Sequence, residues 1–185
     1  MNAMFTTVIC GLSLLVGVRT GGAQGQEKPQ ASAQEPDKPA AGQDKHHHDV
    51  DEHGDHVMGF SHDKATHHFR LYADGGAIEV GANDAKDSAT RDAIRGHFNH
   101  IVKMFAAGDF TAPILIHSQN PPGSEVMKRL RGEIEYRLEK TGQGARIRIS
   151  TKNAEALQAV HAFLRFQISE HQTGDSGEVV VEGKR

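Results

Sequence analysis

The sequence predicts an α+β fold: a two-layer sandwich built from a duplicated strand–strand–helix unit, with a four-stranded antiparallel sheet and two long helices on one face. Three observations carry that expectation. Residues 91–109 and 157–175 share one amphipathic helical pattern, and both end in a Gly-Asp pair. Each is preceded by two short runs that alternate apolar and polar residues across a glycine-bearing turn. The two units lie about 66 to 69 residues apart, as expected of a repeat whose halves share one core.

Taken in order, the chain opens with an apolar run over residues 7–18, then the small residues Gly21, Gly22 and Ala23. This predicts a signal peptide over residues 1–23, although the first five residues depart from the usual pattern in carrying no Lys or Arg. The run is too short to span a bilayer, so the expectation is a periplasmic or secreted protein with no stable membrane anchor. Cys10, the one cysteine, falls inside the leader. A cleaved chain would therefore contain no disulfide, thiolate metal site or catalytic cysteine.

Residues 24–63 read as a disordered linker that ends in a His-rich arm. Residues 24–45 contain hardly any large apolar side chain to offset the entropy of ordering them. The sequence HHHDVDEHGDH over residues 46–56 then alternates histidine and acid without a period.

The globular domain is expected over residues 64–175. In its first unit Phe69, Leu71, Ile78 and Val80 face inward and Arg70, Tyr72 and Glu79 outward, across a turn at Asp74-Gly75-Gly76. Residues 83–88 offer caps for a helix over residues 91–107 with Ile94, Phe98, Ile101 and Phe105 on one stripe. Between the units lie a short apolar run, Pro113 to Ile116, ending in His117, and a short helix over residues 124–131. In the second unit Ile134, Tyr136, Leu138, Ile147 and Ile149 alternate with Glu135, Arg137, Arg146 and Arg148. Asn153 caps a helix to about Glu170 with the stripe Val160, Phe163, Leu164 and Ile168, and residues 176–185 form a flexible tail. Mixed charge on the outward face predicts cross-strand ion pairs rather than a binding surface.

A net charge of −3 gives no electrostatic case for nucleic acid. The 13 histidines are the compositional anomaly, and near pH 6 they would turn the protein net positive. On the first helix His97, His100 and Met104 lie on the flank of the apolar stripe, two imidazoles and a thioether at one-turn spacings. They form a candidate edge for a transition-metal ion, copper or zinc with nickel as a third candidate. His67 and His117 complete that shell, and His62 is a further ligand. His67 and His68 are adjacent on a strand, so only one can face inward, and alternation with Phe69 and Leu71 selects His67. In the second helix Phe163, Phe166 and Glu170 replace His97, His100 and Met104, so the scaffold repeats and the candidate chemistry does not. His171 takes the stripe position of Phe105 and reads as a buried, hydrogen-bonded side chain, and His161 lies on a helix flank.

His46, His47, His48, His53 and His56, interleaved with Asp49, Asp51, Glu52 and Asp55, form a second candidate site. Several neutral imidazoles on a flexible chain can wrap zinc, nickel or copper(II) without a preformed cage. No nucleophile elbow, HExxH helix, P-loop, dinucleotide fingerprint or CxxCH haem motif is present.

The THHF strand, the HFNHI helix and the FLRFQI helix resemble small exported bacterial proteins of unassigned function. The resemblance covers residues 58–175 and implies one compact domain behind a signal peptide, with no activity carried over. The expected function is export and transition-metal buffering or delivery, with metal ions, and in some settings an envelope protein, as partners. Two alternatives are a pH-sensitive envelope interaction module without metal and a metal-dependent hydrolase.

Overall fold

The computed structural model describes residues 45, 50 and 54–180. The proposed leader, most of the linker, and His46, His47, His48 and His53 lie outside the described residues. The fold is α+β, with a five-stranded mixed sheet rather than four antiparallel strands. β1 (Ala65–Tyr72), β2 (Gly75–Ala82), β3 (Ile134–Lys140) and β4 (Gly144–Thr151) pair antiparallel in the order β3-β4-β2-β1. β5 (Val179–Val180) adds parallel to β1, from a segment read as tail. Two residues without alternation give no strand signal by themselves, and their register comes only from the partner edge.

The register places Phe69, Ile78, Ile147 and Leu138 side by side on one face, and Leu71, Gly76, Ile149 and Tyr136 in the next row. This is the inward face that alternation predicts, and its large side chains are buried except Leu138 on the edge strand, which is half-buried. On the outward face Glu79 and Arg146 are directly paired and make an ion pair at 3.3 Å. Arg148 lies 4.8 Å above the Tyr72 ring and reaches Asp74 at 2.5 Å. These cross-strand partners match the ion-paired face expected of the mixed charges.

Two long helices cover the inward face. α1 (Ser88–Ala107) starts where Asp87 accepts the Thr90 N–H and hydroxyl, and stops at Gly108 in the left-handed conformation. α2 (Thr111–His117) forms where a plain apolar run was expected. Pro113 reads as a breaker, yet it sits in the first turn, where its missing N–H has no intrahelical partner to lose. α3 (Ser124–Arg129) is short, and α4 (Ala154–Glu170) starts at Asn153, whose side chain accepts the Glu155 and Ala156 N–H groups.

Each long helix ties down the hairpin of the other unit. From α1, Arg95 donates to the Gly144 and Thr141 carbonyls at 3.0 and 2.6 Å, holding the β3–β4 turn. At the equivalent position of α4, His161 Nε2 donates to the Tyr72 and Gly75 carbonyls at 2.9 and 3.0 Å, holding the β1–β2 turn. That turn closes at Ala73-Asp74, one residue earlier than the expected Asp74-Gly75-Gly76, and both glycines lie in β2. Gly76 is needed inside β2, because a Cβ there would sit 2.4 Å from the Arg70 backbone oxygen as well as 2.2 Å from Leu164 Cδ1 of α4.

The ordered fold also starts earlier than the expected boundary at residue 64. Residues 54–58 are helical, and Val50, Met58 and Phe60 are buried in the core. Three apolar residues spaced too irregularly to form a stripe gave no periodic signal, yet each removes its side chain from water.

Candidate functional site

Strand alternation puts His67 on the inward face of β1, between Phe69 and the core edge, and His68 on the outward face. His68 Nδ1 lies 3.0 Å from Asp175 Oδ1, and the other Asp175 oxygen accepts the Phe69 N–H at 2.9 Å. Burial alone would raise the Asp175 carboxyl. The Phe69 amide, the Thr173 hydroxyl and His68 outweigh it and hold the group below the usual carboxylate range.

The same tie carries the chain past the end of α4, which sets His171 over the inward face. Its ring stacks on His67 with centroids 5.3 Å apart and planes 5° from parallel, and on Phe69 at 5.5 Å. His117, at the end of α2, stands edge-on to His171 at 5.0 Å and to Phe166 at 5.0 Å. Phe60 covers the other end of the row, 6.3 Å from His67 and 6.0 Å from His97. Four histidines, from α1, β1, the residue that caps α4 and α2, therefore run in the order His97, His67, His171, His117, with Phe60 bridging the first two.

A cavity of about 70 Å³ opens beside this row, lined by Met58, His67, His97, Gln167 and His171 among apolar neighbours such as Ile78. Burial, with the nearby histidines His97, His68 and His62 adding to it, lowers the His67 pKa to about 4. Burial, then His100, lowers His97 to about 4 as well. His171 is pushed well below its ordinary value by burial, then by His67 and His117. At neutral pH these three imidazoles are uncharged, and each keeps a nitrogen lone pair that can act as a metal ligand.

His117 is held differently. Its Nε2 faces Gln167 Oε1 at 3.0 Å, and its Nδ1 lies 3.7 Å from Glu170 Oε2. It is 2% exposed, and it braces the end of α2 against α4. The Gln167 Nε2 has no hydrogen-bond acceptor among the described residues, so a buried donor borders the cavity.

The other expected ligands do not join the row. His100 is exposed, and Met104 is half-buried against the core rather than on the cavity wall. His56 is exposed. His62 lines a second cavity, where the Asp55 carboxylate accepts its backbone N–H at 2.6 Å and lies 3.1 Å from its Nδ1. His97 and His100 thus do not converge as a pair, because one turn along α1 separates the cavity wall from solvent. Among the described residues, no three His, Cys, Asp or Glu side chains lie close enough to hold one metal ion.

His171 and Met58 are the cavity residues that sequence reasoning left off the ligand set. His171 was expected to be buried and hydrogen-bonded; it is half-buried, and its ring lies against those of His67, Phe69 and His117. Its place on the α4 stripe was the available signal. Met58 lay in a stretch read as flexible.

Comparison with family models, curated proteins and solved structures finds no match to the chain. Among the described residues no helix is long and apolar enough to cross a membrane.

Proposed function

We propose that this is an exported transition-metal-binding protein whose folded domain holds copper, zinc or nickel at the histidines of the cavity wall, fed by the His-rich arm. One observation carries the reading: His67 and His171 are half-buried, uncharged and in ring contact beside a cavity, with His97 on the same wall. Two imidazoles bound to one tetrahedral ion through metal–nitrogen bonds of about 2.0–2.1 Å have ring centroids roughly 5 Å apart. The observed 5.3 Å between His67 and His171 fits that spacing, and because the two planes lie 5° from parallel the rings must rotate to share an ion. Uncharged imidazoles also release no proton on binding, which keeps affinity constant across neutral pH.

The sequence order strand–strand–helix, twice, and the reciprocal ties of Arg95 and His161 support a duplicated unit in which only one copy places a helix histidine, His97, on the cavity wall. The pH-sensitive interaction module draws less support from these residues, since burial moves His67 and His97 to about 4, away from the window near pH 6.

Calorimetric titration of the full chain with Cu(II), Zn(II) and Ni(II) tests the proposal. Tight binding should survive replacement of His46, His47, His48, His53 and His56 by Asn, and disappear in the His67→Ala, His171→Ala double variant. Binding that follows the arm and ignores the double variant would leave only a flexible ion scavenger.

A further inference from the structure

His67 and His171 border a second cavity as well as the first. It measures about 370 Å³ and is lined on its far side by Val50, His62, Thr66 and Thr173. Met58, His67 and His171 are the three residues common to both cavities, so together they form the partition between them. Building on the metal-binding reading, we propose that Met58, His67 and His171 together hold a monovalent copper ion.

The donor set is the reason. With no third His, Cys, Asp or Glu in reach among the described residues, the donor that completes a three-coordinate site has to be of another kind. The Met58 side chain is 8% exposed and stands on the same wall. Its thioether is a soft, uncharged, polarisable ligand, which favours cuprous ion over the harder divalent ions. All three donors are neutral, and on the side of the smaller cavity the surroundings are apolar, with Phe60, Phe69 and Ile78 around them. A singly charged ion loses far less hydration energy on entering such a site than a doubly charged one. Met58 also follows the exposed His56 by two residues, so an ion held on the arm already sits on the segment that carries the third ligand.

The experiment is an anaerobic Cu(I) titration of the full chain against bicinchoninate, with Zn(II) titrated in parallel. Met58→Leu is close in volume and should keep the circular dichroism of the parent. It is expected to weaken Cu(I) binding by on the order of 10–100-fold and to leave Zn(II) binding unchanged. X-ray absorption of the Cu(I) complex should show a sulfur scatterer that Met58→Leu removes. Cu(I) binding lost in His67→Ala, His171→Ala but untouched by Met58→Leu would overturn the Met58 assignment and leave the metal-binding reading standing. Absence of any histidine-dependent binding of Cu(I) or Zn(II) would overturn both.

Discussion

The two long helices do the same structural work at one end and different chemistry at the other. Two turns in from their starts, Arg95 of α1 and His161 of α4 each donate to two carbonyls of the opposite hairpin. Near their ends the equivalent positions diverge. Phe105 closes an aromatic core with Phe110, Tyr136 and Phe163, at centroid distances of 4.7 to 5.9 Å. His171 places an imidazole against His67, Phe69 and His117. A repeated scaffold thus uses one end to fix the fold and varies the other, where one ring substitution turns a packing position into a candidate ligand.

The largest break in this comparison is Phe105→Ala, which empties the aromatic cluster and should cost about 3–5 kcal/mol in urea unfolding. His171→Phe makes α4 resemble α1 at this position. It should leave stability at pH 7 within about 1 kcal/mol, since a ring of similar volume replaces an uncharged one. A loss as large as that of Phe105→Ala would mean that the imidazole is a structural requirement.

Next in size is the response to acid. His67 binds a proton in the unfolded chain near its ordinary value of 6.5 but only at about 4 in the fold. Its contribution is therefore fully present above pH 6.5 and is lost progressively as pH falls towards 4. For His67 that loss amounts to roughly 3 kcal/mol across the window, with His97 acting in the same direction. Urea midpoints measured from pH 7 to pH 4 should fall steeply in the parent and more gently in His67→Phe. Parallel pH profiles would show that His67 is not desolvated in the fold.

The smallest effects separate the two ties between helix and hairpin. Arg95→Ala removes charged hydrogen bonds and should cost about 1.5–3 kcal/mol, whereas His161→Ala should cost about 0.5–1.5 kcal/mol. Amide exchange should accelerate at the β3–β4 turn in the first variant and at the β1–β2 turn in the second. Acceleration confined to the helix that carries the substitution would refute the cross-tie.

What could be read from the sequence was local and periodic. Alternation in β1 to β4 assigned the inward and outward faces, including the choice of His67 over His68. The helical stripes and the cap at Asn153 followed from spacing and side-chain chemistry within a few residues. The parts that were missed are set by contacts distant in sequence. β5 exists because β1 offers an edge, and Met58 and Phe60 are buried because the segment before β1 folds back against His67, His97 and the core. The α1 pair failed for a related reason: i, i+3 spacing brings His97 and His100 near each other, but burial of the stripe decides which of them faces the cavity. His171 was visible as a stripe position, and its neighbours were not.

The reciprocal ties bear on how the chain assembles. The bonds from Arg95 span 46 and 49 residues and those from His161 span 86 and 89. Contacts that distant reward the chain only after long loops have closed, which slows folding and couples the halves into one cooperative transition. A ribosome that has made only the first unit has produced a hairpin whose latch is still unmade, and a helix with no turn to hold. The nascent chain thus has little reason to fold before residue 161 emerges.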